Sequence, residues 1–449
     1  MTFAPRICAV AALLAALFAG LSHAQGTAVS PFGLRCRTVD GRSVAGTVSS
    51  WDRDGCDGTF GRLAWADLPA AEVNRTIRRV IDDQNAEQLV TLGRALLCTE
   101  DGQNMGDSVL RQAVKRDGRV APAADVARAE AVEARRVAAE RRLRAMLPQA
   151  VEGSGVPSWP IASDADRAKA LDEAKAEAER ALDKVHLRWR PYESEFWVIY
   201  ANLSRGDAQE LGRRMDNMYR KVAEMFALPK GLNLFEGKGV CIVSPDETVF
   251  RAIEQAAFGG APPEGCIGLC HMQGPKVIVN AWQSPHDDQF MATLVHEATH
   301  GIMYRYGSPQ RLPIWAEEGY AEFVAARSFD SSPVDAGIAP SAGRPGTLGR
   351  RPQGLDFIRG GNATLPYFRT SGTDGVWPGP DAVGYSIGYL TVCLMIDQKG
   401  AAFGEWVKDV KRGIPWEQAL KSRFGTDAVQ LAQTIEGFYR EHMSSAEAR

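Results

Sequence analysis

The sequence predicts an α+β protein whose alternating strands and helices occupy the C-terminal part, about 191–449. Three observations carry that expectation. Runs of β character, "EFWVIYAN", "GVCIVS" and "KVIVNAW", alternate with amphipathic helical runs such as "GDAQELGRRMDNMYRKVAEMFAL". The chain ahead of them changes character twice, from β-like to helical and then to a charged Ala/Arg/Glu tract. A length of 449 residues allows more than one hydrophobic core.

Taken in order, residues 1–24 read as a secretory signal. Arg6 precedes the apolar run "ICAVAALLAALFAGL", and "SHA" offers a small-residue cleavage site after Ala24. The expected location is therefore exported, periplasmic or secreted, with no stable membrane insertion once the signal is removed. Seven cysteines lie beyond Cys8, so an oxidising compartment leaves at least one unpaired in the monomer. Cys36 and Cys56 are the best disulfide candidates. Cys266 and Cys270 have no second pair to complete a structural zinc site. A net charge of -3 gives no footprint for nucleic acid.

Residues 25–70 form a small β module. "LRCRTVDGRSVAGTVSSWDRDG" alternates apolar positions around Asp-Gly turns, and is similar to the SH3-like barrels that accompany bacterial exported enzymes. Residues 71–118 read as a helical hairpin resembling one tetratricopeptide unit, with Leu92-Gly93 and Ala113 in fitting places. Together these regions offer a surface for a protein partner. From 119 to 190 the chain reads as a charged helical linker. "ADVARAEAVEARRVAAERRLRAML" has a thin apolar stripe, "PQAVEGSGVPSWP" breaks it, and a second charged helix follows.

Within 191–449 the chemistry sits in "QFMATLVHEATHGIMYRY". Ser284 as N-cap, Pro285 in the first turn and Asp287 and Asp288 near the dipole's positive end predict a helix start; Gly307 and Pro309 predict its stop. Residues four apart differ by about 40° in azimuth, so His296 and His300 reach one metal ion. Glu297 leans to the same side, placed to act as a base on water. Eleven residues separate His300 from "LPIWAEEGYAEFVAAR", another helix. Glu318 supplies the third ligand that a catalytic zinc needs, with a fourth position open. Glu322 stands one turn on, where it would hold a ligating histidine from outside. Glu317 diverges from Glu322 by about 140° and is read as solvent-facing. Gly319 costs helix stability, and close approach of these two helices would account for it. The cofactor expected is one Zn2+ per chain.

His296-Glu297-x-x-His300 followed by Trp315-x-x-Glu318-Gly319-x-Ala321 resembles the gluzincin metallopeptidases, and most closely the exported peptidase MA-like proteins. The metzincin pattern fails, because Met303 replaces its glycine and Tyr306 its third histidine. The resemblance covers about 240 residues. It implies a zinc-dependent peptidase with a peptide or protein substrate and a gluzincin-like fold, a mixed sheet with an edge strand beside the zinc helices. It implies that the tyrosine of "VGYSIGYLTVCLMIDQKG" donates to the oxyanion, Tyr385 matching best and Tyr389 next. It also implies that "KVIVNAW" is the edge strand, with Asn280 and Ala281 beside substrate. The Gly/Pro-rich stretch between Glu318 and Tyr385 would wall the cleft. Two rival readings stand: a zinc-retaining, non-catalytic binding protein, and a zinc hydrolase of non-peptide amides such as cell-wall components.

Overall fold

The computed structural model describes residues 27–229, 231–283, 287–328, 349–369, 377–379 and 381–444. The expected signal, the N-cap Ser284 with Pro285, and most of the Gly/Pro-rich stretch lie outside these residues. The protein is mixed α/β and divides into two compact units, one reaching to Leu143 and one from Arg144.

In the first unit, β1 (Thr27–Arg37), β2 (Ser43–Trp51), β3 (Gly55–Gly58) and β4 (Gly61–Ala64) form an antiparallel meander. Its buried side chains, among them Leu34, Val48, Trp51 and Leu63, share one core with α1 (Ala70–Ile77) and α2 (Ala86–Leu97). The β module and the helices therefore bury their apolar faces on each other. Cys36 and Cys56, the expected disulfide, are free and buried. On the ladders Cys36 opposes Val44, whereas Cys56 opposes Trp51 and Leu63. After α3 (Gln103–Arg116), α4 (Ala121–Met146) lays Ala124, Ala127, Ala131 and Ala138 onto Leu97 and Leu110. The thin stripe read as a solvated connector is thus an alanine seam, and small side chains let the helix sit close. Arg94, itself buried, ties it down through Glu130 at 2.8 Å.

In the second unit five strands lie in the order β5-β6-β7-β9-β8: β5 (Pro191–Glu193), β6 (Trp197–Ala201), β7 (Gly239–Ser244), β8 (Gly268–Gln273) and β9 (Lys276–Trp282). β6, β7 and β9 run parallel; β5 and β8 are antiparallel outer strands. Strand alternation splits the apolar residues between two faces. Val198, Tyr200, Val240, Ile242 and Ile278 meet α5 (Asp164–Asp183) and α7 (Glu247–Ile253). The helix expected as a linker therefore covers the sheet with Ala174, Ala178 and Leu182, and is started by a Ser163–Asp166 capping box. Ile199, Cys241, Val277 and Val279 join α6 (Arg205–Met225) and α8 (Asp287–Arg305) on the other face.

Beyond α8 come α9 (Ile314–Arg327), α10 (Arg350–Arg359), α11 (Leu365–Arg369), α12 (Asp381–Lys411), α13 (Trp416–Phe424) and α14 (Ala428–Ser444). α9 runs through the helical core, with Trp315, Tyr320 and Phe323 all buried. It meets α12 at a glycine pair. A Cβ on Gly319 would stand 2.3 Å from the backbone carbon of Gly388, and one on Gly388 would stand 2.4 Å from the Trp315 carbonyl oxygen. The close approach expected at Gly319 is between the two motif helices; the backbone that Gly319 meets belongs to α12 instead.

The end of α8 is held from two directions. The segment before α5 crosses it: Trp159 Nε1 donates to the Tyr304 carbonyl at 2.8 Å, and Trp159 N to the Gly307 carbonyl at 2.8 Å. Buried Lys411 Nζ donates at 2.7 Å to the carbonyls of both Met303 and Gln310. It thereby satisfies one of the carbonyls a helix leaves open at its C-terminus.

Two outcomes follow. Gly319→Ala forces backbone apart and should cost about 1–3 kcal/mol or more in urea unfolding; an unchanged midpoint would disprove the tight crossing. Burial pushes the Lys411 amine down from its ordinary 10.5 to about 7. Between those values the unfolded chain holds the proton and the native one does not, so stability rises with pH through this window. The Lys411 share, at most about 1.4 kcal/mol per pH unit, should vanish in Lys411→Met when unfolding is followed between pH 7 and 10.

Candidate metal centre and cleft

The helical spacing of α8 sets both imidazoles on one side, with His296 Nε2 and His300 Nε2 3.0 Å apart. α9 crosses so that Glu318 Oε2 comes 3.1 Å from the first nitrogen and 3.3 Å from the second. Donor atoms around a tetrahedral ion with bonds of about 2.0–2.1 Å lie roughly 3.3–3.4 Å apart, so this triangle fits one small cation. Among the described residues it is the one group of three or more His, Cys, Asp or Glu side chains able to hold a metal.

The electrostatics point the same way. Burial alone would lower the His300 basicity, yet the carboxylates of Glu318, Glu297 and Glu317 outweigh it and raise the ring to about 9. Burial would raise Glu318, yet the two imidazoles hold it far below the usual carboxylate range. The trio draws positive charge to one point. Two imidazole nitrogens and a carboxylate oxygen are the donor set that zinc prefers.

Each imidazole has a carboxylate behind it. Glu322 Oε1 stands 3.6 Å from His296 Nδ1, and Arg350 Nε donates to that same oxygen at 2.8 Å. Glu317 Oε1 stands 3.9 Å from His300 Nδ1 and is gripped by Arg311, with Nε at 2.8 and 3.0 Å from its two oxygens. The reading of Glu317 as solvent-facing is corrected here: it is 8% exposed. α9 is enclosed on nearly every side, so the direction away from Glu322 leads to another layer of protein. Arg311 and Arg350 were not singled out beforehand. Both lie off the two motif helices, in chain without periodicity, and no local signal marks them.

A cleft of about 470 Å3 opens beside the trio. His296 and Glu297 line one side, Tyr385 and Arg350 another, and residues 263–269 the third. Burial raises the Glu297 carboxyl, with Glu318 adding to the rise while the two imidazoles oppose it. A more basic carboxylate is a better proton acceptor near neutrality. Gly268 makes room for it, since a Cβ there would stand 3.3 Å from Glu297 Cγ. Tyr385 stands with its ring 6.1 Å from that of His296, under the Arg350 guanidinium at 4.9 Å. Burial, then the charge on Glu318, keep its phenol protonated well above the ordinary value. Tyr389 is 2% exposed and belongs to the core. Of the two tyrosines, the structure puts Tyr385 in the cleft.

Asn280 and Ala281, expected beside substrate, are not among the residues that line it. β9 lies inside the sheet, paired with β7 on one side and β8 on the other, and both residues are 0% exposed. Asn280 turns to the opposite face, where its Nδ2 donates to Glu254 at 2.8 Å. The outer strand is β8, formed by chain that returns antiparallel along β9. Compared with protein-family models and with curated proteins, the chain matches none.

Glu322→Gln keeps the shape and removes the charge behind His296. Zinc affinity, measured by chelator competition, should fall about 10- to 100-fold with the fold intact. Unchanged affinity would remove Glu322 from the site.

Proposed function

We propose that this chain is a gluzincin-type zinc peptidase, exported, hydrolysing peptide or protein substrates. The observation that carries the reading is the division of labour around one cleft. His296, His300 and Glu318 converge on one point, while Glu297 and Tyr385 reach the same space from either side. The mixed sheet, with its outer strand beside the helix that bears both histidines, supports a gluzincin-like fold. The four-stranded meander supports an SH3-like reading of the N-terminal module.

Zinc held by His296, His300 and Glu318 would supply Lewis acidity, making water reactive near neutral pH and polarising a carbonyl. Glu297 takes the proton from the attacking water and delivers it to the departing amine, a transfer its raised basicity suits. The Tyr385 phenol donates to the oxygen that gains negative charge. Glu322 and Glu317 keep the imidazoles turned towards the metal, and Arg350 and Arg311 keep those carboxylates in place. An extended substrate lies along β8, whose outer edge offers main-chain partners. The role first given to β9 thus passes to its neighbour.

Cleavage of casein and of a peptide library tests this. Chelator should abolish cleavage and added zinc restore it. Glu297→Ala should retain zinc and its melting temperature while losing about 10²- to 10⁴-fold in kcat; Tyr385→Phe should lose about 10²- to 10³-fold. A zinc-loaded chain that cuts no peptide but releases products from cell-wall amides would favour the non-peptide hydrolase. A zinc-loaded chain inert on both would favour the binding protein.

A further inference from the structure

The N-terminal unit carries a separate concavity of about 280 Å3 between β1 and the end of α1. Gly33, Leu34 and Arg35 line it from the strand, and Arg75, Thr76 and Arg79 from the helix and the turn after it. β1 is an outer strand, paired with β2 alone. Two of its outward carbonyls are already occupied. Arg79 Nη1 donates to Gly33 O at 3.0 Å, and Arg75 Nη2 to Arg35 O at 3.4 Å. In an antiparallel strand the N–H and C=O of one residue face the same side, so the amides of Gly33 and Arg35 point outward too. With its acceptors occupied, this edge presents donors.

It is also short of negative charge. Arg75 is paired with Glu72. Among the described residues, Arg35 and Arg79 have no carboxylate partner. The Arg79 guanidinium is held 5.6 Å from the centre of the Phe32 ring, which fixes its direction without neutralising it. A planar guanidinium fork matches a carboxylate. Outward amides recur along a strand at about 6.6–6.8 Å, the repeat at which an extended peptide presents its carbonyls. A nucleic-acid strand would need a longer basic track than a chain of net charge -3 offers.

We propose that the groove between β1 and α1 binds an acidic peptide segment, its carboxylates received by Arg35 and Arg79 and its main chain by the amides of Gly33 and Arg35. This gives the N-terminal module a partner chemistry of its own, independent of the metal site.

The test uses the full-length chain carrying Glu297→Ala, so that a bound peptide is not cut, and a fluorescent Glu/Asp-rich peptide of about ten residues read by anisotropy. Saturable binding is expected, weakened several-fold as salt rises from about 20 to about 200 mM. A Gln-rich control should not compete. Arg35 is exposed, so Arg35→Glu should keep the melting temperature while cutting affinity at least about tenfold. Arg79→Gln should weaken binding less, since it removes a positive charge where Arg35→Glu reverses one. No saturable binding, equal binding by Arg35→Glu, or tighter binding of a single-stranded oligonucleotide than of the peptide would each overturn the proposal.

Discussion

Two imidazole nitrogens and a carboxylate oxygen do not gather within 3.3 Å of one another without a reason. Their lone pairs repel unless a cation or a proton sits among them, so the surrounding protein must hold them there by force of packing. Much of the second unit serves that end. The sheet presses α8 from below, α12 presses α9 through the Gly319–Gly388 contact, and the far nitrogen of each ring faces a carboxylate gripped by arginine. Buried carboxylates in such number would be costly singly; set against the imidazoles and the arginines that reach in to them, the charges offset one another.

What was readable in the sequence was what is local. The positions of His296, Glu297 and His300 on one helix follow from helical arithmetic, and Glu318 and Glu322 share a face for the same reason. The stop at Gly307 is local as well: the residue has φ 75, a left-handed conformation that glycine adopts without strain. What could not be read depends on neighbours that arrive from afar. Azimuth correctly separates Glu317 from Glu322, but only the tertiary fold decides that the direction away from Glu322 is also filled. An apolar run such as "KVIVNAW" declares a strand, not its rank in a sheet; its burial on both edges follows from β8 folding back on it.

The same limit explains the connecting helices. α4 and α5 look alike in composition, charged and rich in alanine, and both read as parts of a charged linker. Each instead uses alanine as a contact surface. Alanine adds little to an apolar stripe in sequence, yet it permits the close packing that makes these helices part of two different cores. Function therefore begins earlier in the chain than its motifs suggest, because α5 forms one cover of the sheet that carries the outer strand β8.

The crossing of α8 by Trp159 also has a temporal side. The tryptophan leaves the ribosome 145 residues before the carbonyl that its indole will cap, and Lys411 follows later still. Trp159 is waiting when the C-terminal turn of α8 emerges, but until α12 is made that turn lacks its lysine partner. Closure of such distant contacts slows folding and prolongs the exposure of apolar surface. A nascent chain of this protein should thus depend on chaperone shelter late in its synthesis, well after both histidines have been made.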